Sequence, residues 1–517
     1  MSRRLLTPAS PCYSHLLVRQ LHNIATLILS LCTAVLSIYP AFGAESANKH
    51  SVPNIILILA DDLGINDLGC YGRREHRTPH LDRLAAAGVR FTAAYCAQPI
   101  CSASRAAILT GKHPARLHLT TFLPGRPDCP SQPLLHPVIE QQLPLEETTL
   151  AEYLQHAGYA TACIGKWHVG GRGFGPLEQG FDEYHPGRAN TTPSATEGGK
   201  GEYDLTNAAL RFIEAHRQGP FFVYLAHNTP HIPYTAKTEL IEKNHAAFEP
   251  VYAAVIESLD DTVGRLLARL DELRLASNTL VVFTSDNGGL HVPEGPHERI
   301  THNTPYRAGK GFLDEGGLRI PLIVRFPGRV APGRVVDAPV VNTDWVPTLL
   351  DLAGAPVPQG LDGVSLAPFL LGRAEVPQRT FFWHFPHYTN QGSLPAGAVR
   401  EGRWKLIENY ENDRVELYDL SQDVSETRNL AGREPDRVQR MRADLHAWRK
   451  ATHVQTNGTN PIYDPALHRP LYEDIDVSRY NASTADAALQ ARVIEWRKQM
   501  NAVVPAKPGK AGKAKSR

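Results

Sequence analysis

Residues 54–60 (NIILILA) open a series of short, continuously apolar runs, followed by residues 160–164, 221–226, 279–284 and 321–326. Runs without polar alternation predict strands buried on both faces, as in a parallel sheet covered on each side. Residues 78–87, 149–156, 205–217 and 251–273 lie between them and predict helices. The alternation predicts an α/β fold with a central, mostly parallel sheet flanked by helices. Polar residues recur where the apolar runs stop. Asp61 and Asp62 follow the first run, Lys166 and His168 the second, His231 the third, and Asp286 and Asn287 the fourth. Open α/β sheets bind ligands beyond the carboxyl ends of their strands. Four separate segments are therefore expected to bring metal-type and acid/base side chains to one edge.

The pattern changes near Arg379. Residues 398–408 (AVREGRWKLIE) alternate over their first half and predict a strand, and residues 414–420 predict another after a charged turn. A small antiparallel sheet closed by a helix over residues 436–450 is expected here. The expected division is a catalytic α/β domain over residues 50–375, a C-terminal subdomain over 376–500, and a basic tail over 501–517. The Lys, Gly and Ala of that tail have no apolar partner and predict disorder from about Pro505.

Composition changes this picture in three places. With 42% hydrophobic and 21% charged residues, the 517-residue chain is of ordinary globular make-up, and its net charge of +1 offers no global field for nucleic acid or membrane. An anionic substrate would need its positive potential built locally. Arg3, Arg4 and Arg19 precede an apolar run over residues 24–42, with Ala41, Gly43 and Ala44 after it. A signal peptide over residues 1–43 is expected, with export to the periplasm or outside the cell. The rival is an uncleaved anchor, since the run approaches the ~20 residues that span a bilayer; Pro40 and the small residues favour cleavage. Export would leave Cys70, Cys96, Cys101, Cys129 and Cys163, an odd number that points to one thiol with a separate fate. The other four could pair in three ways or stay reduced.

The polar clusters carry specific chemistry. Asp61 and Asp62 (ILADDLG) with Asp286 and Asn287 (FTSDNGG) are hard oxygen donors, suited to Ca²⁺ or Mg²⁺, and Cys/His spacing for zinc is missing. Arg105 stands one helical turn beyond Cys101, and a helix beginning there would aim its amides at an anion. Lys166 and His168, two apart in GKWHVG, would share one side of an extended segment. His231 lies in NTPHIPY and Lys310 in YRAGKGFLDEGGLRIP.

The string CSASRAAILTGK over residues 101–112, with GKWHVG and the segment around Lys310, resembles the signatures of the type I sulfatases. The resemblance covers roughly residues 53–430. It implies an alkaline-phosphatase-like α/β sandwich and a maturation enzyme that oxidises Cys101 to formylglycine, whose hydrate is the nucleophile. It further implies one Ca²⁺ held by Asp61, Asp62, Asp286, Asn287 and the modified residue 101. Arg105 would orient the diol, Lys166 would bind sulfate, His168 would act as base, and His231 and Lys310 would contact the sulfate and the leaving oxygen. Attack by one hydroxyl would give a sulfated hemiacetal, which collapses when His168 deprotonates the second. Ala103 stands where proline is common and Lys112 where arginine is common.

The implied activity is hydrolysis of a sulfate monoester on a sulfated saccharide or an aryl sulfate. The alternatives are a phosphonate or phosphate ester hydrolase on the same core, or an idle glycan-binding protein whose Cys101 stays a thiol. Neither nucleic acid nor a stable membrane anchor is expected as a partner. Trp383, His384, His387, Arg172 and Arg299 sit in segments expected to reach the pocket mouth, while His291, His297 and His302 would at most line the pocket.

Overall fold

The computed structural model describes residues 52–188, 195–197 and 200–505. The expected signal peptide and most of the expected basic tail lie outside the described residues. Fourteen strands are described: β1 (Asn54–Asp61), β2 (Val89–Phe91), β3 (Ala94–Tyr95), β4 (Ala160–Gly165), β5 (Glu183–Pro186), β6 (Phe221–Pro230), β7 (Thr279–Ser285), β8 (Leu322–Arg325), β9 (Arg334–Val336), β10 (Val340–Val341), β11 (Thr380–Phe385), β12 (Ala396–Glu401), β13 (Trp404–Asn409) and β14 (Val415–Asp419).

The expected α/β sandwich is present. Eight strands form one sheet in the order β5-β4-β6-β1-β7-β8-β2-β9, and β4, β6, β1 and β7 are parallel neighbours at its centre. Both faces of β1 are sealed. Ile55, Leu57 and Leu59 join one apolar core, while Ile56, Ile58 and Ala60 join the other, as the two-residue period of a strand requires. Helices Pro79–Ala86, Glu202–His216 and Pro250–Glu272 contribute to the second core. Helix Leu150–His156 packs in the first, and its N-terminus is fixed reciprocally by Thr149 and Glu152.

Two expectations need correction. The run over residues 321–326 forms β8, which lies antiparallel to both β7 and β2. Burial on both faces makes a run apolar but does not fix its direction; the connection from β7 does that. The single strand expected over residues 398–408 is two strands, β12 and β13, paired Glu401↔Trp404 around a two-residue turn. Gly402 takes φ 56° there, the conformation a tight hairpin needs at that position. With β11 and β14 these strands make the small antiparallel sheet, covered by helix Pro435–Ala451. Helices Pro465–Tyr472 and Ala487–Ala502 were not among the expected elements. In the latter, Val493, Trp496 and Met500 are buried at i, i+3 and i+7, a narrow stripe on an otherwise polar sequence.

Buried histidines give the fold a pH signature. Burial lowers His113, His227 and His291 to about 4 and His384 to about 3. Their unfolded value is ~6.5, so between the two values the unfolded chain binds protons that the folded chain refuses. The contribution is complete above ~6.5 and is lost as pH falls, by on the order of 1 kcal/mol per histidine at pH 5.5. The thermal midpoint should therefore drop between pH 7 and 5; a flat profile over that range would contradict the assignment.

Candidate active site

Four adjacent strand ends supply the site. β1 ends at Asp61, and Asp62 turns the chain with φ 65°, a left-handed conformation that aspartate tolerates better than most side chains. β4 ends at Gly165, where a Cβ would sit 1.9 Å from the Ala226 carbonyl oxygen, so only glycine lets the strand deliver Lys166 beside β6. β6 runs to Pro230 and presents His231; β7 ends at Ser285, before Asp286 and Asn287. A Cβ on Gly288 would meet the Gly316 carbonyl at 1.9 Å, which brings this turn against the segment that carries Lys310. Cys101 begins the helix Cys101–Thr110, every residue of which is buried.

These segments converge as the sequence pattern predicts. The Cys101 Sγ lies 3.4 Å from Asp61 Oδ1 and 3.7 Å from Asp62 Oδ1. Lys166 Nζ donates to Asp61 Oδ2 at 2.5 Å, and Lys310 Nζ to Asp62 Oδ2 at 2.7 Å. Arg105 is fully buried; its Nε donates to Asp286 Oδ2 at 2.9 Å and its Nη1 to the Lys166 carbonyl at 2.8 Å. Asp286 Oδ1 accepts from the Asp62 amide at 3.1 Å, and Asn287 Nδ2 donates to Asp62 Oδ1 at 2.8 Å. His231 Nε2 stands 3.7 Å from Asp62 Oδ2. A chain of near-zero net charge thus concentrates three cationic side chains at one sheet edge.

Burial and charge oppose each other at each group. Burial works to raise Asp61, but Lys166, His231, Arg105 and Lys310 together hold it well below the usual carboxylate range; Asp62 is lowered in the same way, chiefly by Lys310. Burial and the repulsion of Asp61 push Asp286 up, against the pull of Arg105 and Lys166. Burial pulls Lys166 and Lys310 down, and Asp61 and Asp62 respectively more than restore them, so both stay charged. Burial pushes the Cys101 thiol well up, which keeps it protonated and a poor nucleophile in its unmodified form.

The two imidazoles are neutral at neutral pH. Burial, reinforced by Lys166, lowers His168 to about 3; burial and Lys310 lower His231 to about 4. His168 Nε2 contacts the Leu123 carbonyl at 3.3 Å, leaving the buried Nδ1 without a hydrogen-bond partner among the described residues and with its lone pair unspent. His231 Nδ1 bonds the Ile232 carbonyl, leaving Nε2 toward Asp62. The extended segment expected for Lys166 and His168 is interrupted, because His168 takes φ 61°. Both side chains nevertheless line one cavity of about 650 Å³, together with Asp61 and His231.

A hard cation fits this donor set. Ligand atoms of Asp61, Asp62, Cys101 and His231 lie within 4.8 Å of one another, and Asn287 Oδ1 is a buried acceptor with no partner. Asp286 is turned to Arg105 and the Asp62 amide.

Several expectations about the pocket mouth fail. Trp383 is 1% exposed, and its Nε1 donates to the Cys96 carbonyl at 2.9 Å; His384 and His387 are equally buried. They belong to the small sheet and its following loop, whose inner face is core. Arg299 stacks on Phe248 at 5.3 Å and does not line the cavity, whereas Arg172 is exposed beside Gly171, so its segment does reach the cavity. His291 bonds the Val477 carbonyl, His297 stacks on Tyr234, and His302 bonds Arg73. Lys112 pairs with Glu147 at 2.5 Å away from the cavity. The five cysteines among the described residues are unpaired. Sequence reasoning missed Ser104, whose hydroxyl bonds the Asp286 carbonyl and accepts from Asn342 Nδ2 at 2.7 Å, and Lys200, which lines the cavity. Ser104 stands inside CSASR, in the turn that also carries Arg105, and was legible there. Lys200 belongs to no motif.

A parallel sheet whose central strand ends gather carboxylates, ammonium groups and neutral imidazoles around one buried residue defines a hydrolase of anionic esters. The family model "Sulfatase" matches residues 53–355, more than half of the chain, and the chain belongs to that family. It is a sulfuric ester hydrolase. A second model, "N-sulphoglucosamine sulphohydrolase, C-terminal", matches residues 308–453. Human arylsulfatase A is 34% identical over 74% of this chain and 83% of its own, and mouse steryl-sulfatase is 34% identical over 69% and 72%. Among solved structures, Ps i-CgsB superposes with a TM-score of 0.67 at 29% identity, covering 77% of this chain and 93% of that one. The phosphonate monoester hydrolase of Agrobacterium radiobacter shares the fold at 20% identity and a TM-score of 0.59.

Proposed function

We propose that this protein is an exported sulfatase that hydrolyses sulfate monoesters on a sulfated carbohydrate, with formylglycine at position 101 and one bound Ca²⁺. The observation that carries the reading is the apposition of two carboxylate–ammonium pairs, Asp61 with Lys166 and Asp62 with Lys310, both in contact with Cys101 through the carboxylates. The solved complex of Ps i-CgsB with k-i-k-neocarrahexaose, 28% identical to this chain, supports a saccharide substrate.

Oxidation of Cys101 would exchange an inert thiol for an aldehyde whose hydrate offers one hydroxyl to attack sulfur and a second to release sulfate afterwards. Asp61, Asp62, Asp286 and Asn287 with residue 101 would hold Ca²⁺, which when bound would supply positive charge beside the sulfate oxygens and acidify a coordinated hydroxyl. The chain's own residues do the rest. Lys166 and Lys310, charged and fixed by the carboxylates, hold the sulfate oxygens as charge shifts in the transition state. Arg105 keeps the geometry of position 101 from within the core. His168 accepts a proton at Nδ1, the atom without a partner. The leaving oxygen takes its proton from Lys310, which stays charged, while the neutral His231 presents Nε2 beside it.

Dialysis of the active protein against a chelator should lower turnover of an aryl sulfate by ~10³-fold, with recovery on adding Ca²⁺. Added Ca²⁺ should also raise the thermal midpoint of the stripped protein, because it binds the native state alone. Full activity after exhaustive chelation would remove the metal from the reading. Turnover of paired aryl sulfate and phosphate diester substrates separates this reading from an ester hydrolase of phosphorus, for which the diester would be preferred.

A further inference from the structure

We propose that Lys200 is a specificity-determining residue that reads a second anionic group on the substrate, a sulfate or a carboxylate beyond the ester being cleaved. This rests on the sulfatase reading and adds the charge pattern of the substrate to it. Lys200 lines the same cavity of about 650 Å³ as Asp61, Lys166, His168 and His231. It is 5% exposed, yet its ammonium forms no ion pair among the described residues. Its polar contact is the Ile232 carbonyl at 3.4 Å, the far limit of a hydrogen bond. The nearest carboxylate in sequence, Glu202, is spent elsewhere: it accepts from the Lys200 backbone amide at 2.9 Å and from the Thr229 hydroxyl at 2.6 Å.

An ammonium carries three donors, and a buried cation without a counter-ion is costly to the fold unless a ligand supplies one. Lys200 keeps its charge at neutral pH, since burial lowers it only to about 8. The cations that suit the reacting sulfate are already present in Lys166 and Lys310, both locked to the aspartates. Lys200 is surplus to that cradle: its ammonium reaches the carbonyl of Ile232, the residue after His231, and it shares the cavity wall with Asn228 and the exposed Arg188. The Glu202 carboxylate holds its backbone amide and the Ile232 carbonyl its ammonium, so both ends of the residue are held beside the cavity. Gly171 lines the same cavity, and a Cβ there would meet nothing within 4 Å, so a cavity of about 650 Å³ has room for a sugar ring and not just a sulfate.

The test is inhibition of 4-nitrophenyl sulfate hydrolysis by two sugars, N-acetyl-D-glucosamine-6-O-sulfate and D-glucosamine-2-N,6-O-disulfate, which differ by one anionic group. The disulfate should bind ~10-fold or more tightly than the monosulfate, the worth of one charge-assisted contact. Lys200→Met should bring that ratio toward one, and Lys200→Arg should retain most of it. Lys200→Gln serves as the second neutral variant should the methionine form fail to fold, and thermal unfolding reports on both. A wild-type ratio near one, or a ratio that survives neutralisation of Lys200, overturns the proposal. Failure of the sulfatase reading would show instead as no hydrolysis of the reporter; calorimetry with the same two sugars then still reads the ratio.

Discussion

Replacing Cys101 with alanine should lower aryl sulfate turnover by ~10⁴-fold or more, the scale on which removal of a nucleophile is felt. The fold should stand, because position 101 is the first residue of a buried helix whose neighbours Ala103, Ala106 and Ala107 are themselves small. Cys101→Ser is the more informative variant. A serine at this position has one hydroxyl where a hydrated aldehyde has two, so it should react once and stall as a covalent sulfate ester. Peptide mass analysis reads both outcomes: an aldehyde at position 101 in active protein, and a sulfated serine in the variant after exposure to substrate. Active protein that carries only an unmodified Cys101 thiol would sink the mechanism, since burial already holds that thiol in its protonated form.

Asp286→Ala should cost both activity and stability. From the sequence, loss of this carboxylate is expected to abolish turnover and spare the fold. The structure corrects the second half, because Asp286 is the counter-ion of the fully buried Arg105 at 2.9 Å and the acceptor for the Asp62 amide. Removing one partner of a buried ion pair leaves the other charge uncompensated, at a cost of ~3–5 kcal/mol. What remains for Arg105 is the Lys166 carbonyl and Asp61 at 3.8 Å. Asp286→Asn keeps an acceptor for the Asp62 amide and most of the shape while losing the charge. Turnover should therefore be lost in both variants, with the denaturation midpoint falling further in the alanine form. An alanine variant as stable as the parent would show that Arg105 finds another partner, and the account of the buried pair would have to be abandoned.

The sequence by itself determined the sheet centre and the chemistry at its edge. Continuous apolar runs require burial on both faces, and an open parallel sheet then leaves one place for the polar residues that follow them. Asp61, Lys166, His231 and Asp286 were legible for that reason, and β4, β6, β1 and β7 are the adjacent strands that carry them. The chemical strings around Cys101 and Lys310 added the remaining members. What only the tertiary structure decided depends on direction, partners and enclosure. The antiparallel course of β8 follows from its connection, and the burial of Trp383 follows from which face of the small sheet meets the core. An aromatic or histidine side chain reads the same in sequence whether it faces a cavity or a carbonyl. Lys200 shows the converse: one lysine among many on a polar stretch becomes chemically distinctive only when the fold buries it beside the site without an ion-pair partner among the described residues. Local pattern sets what a segment must bury, and long-range packing sets which of its polar atoms are left with work to do.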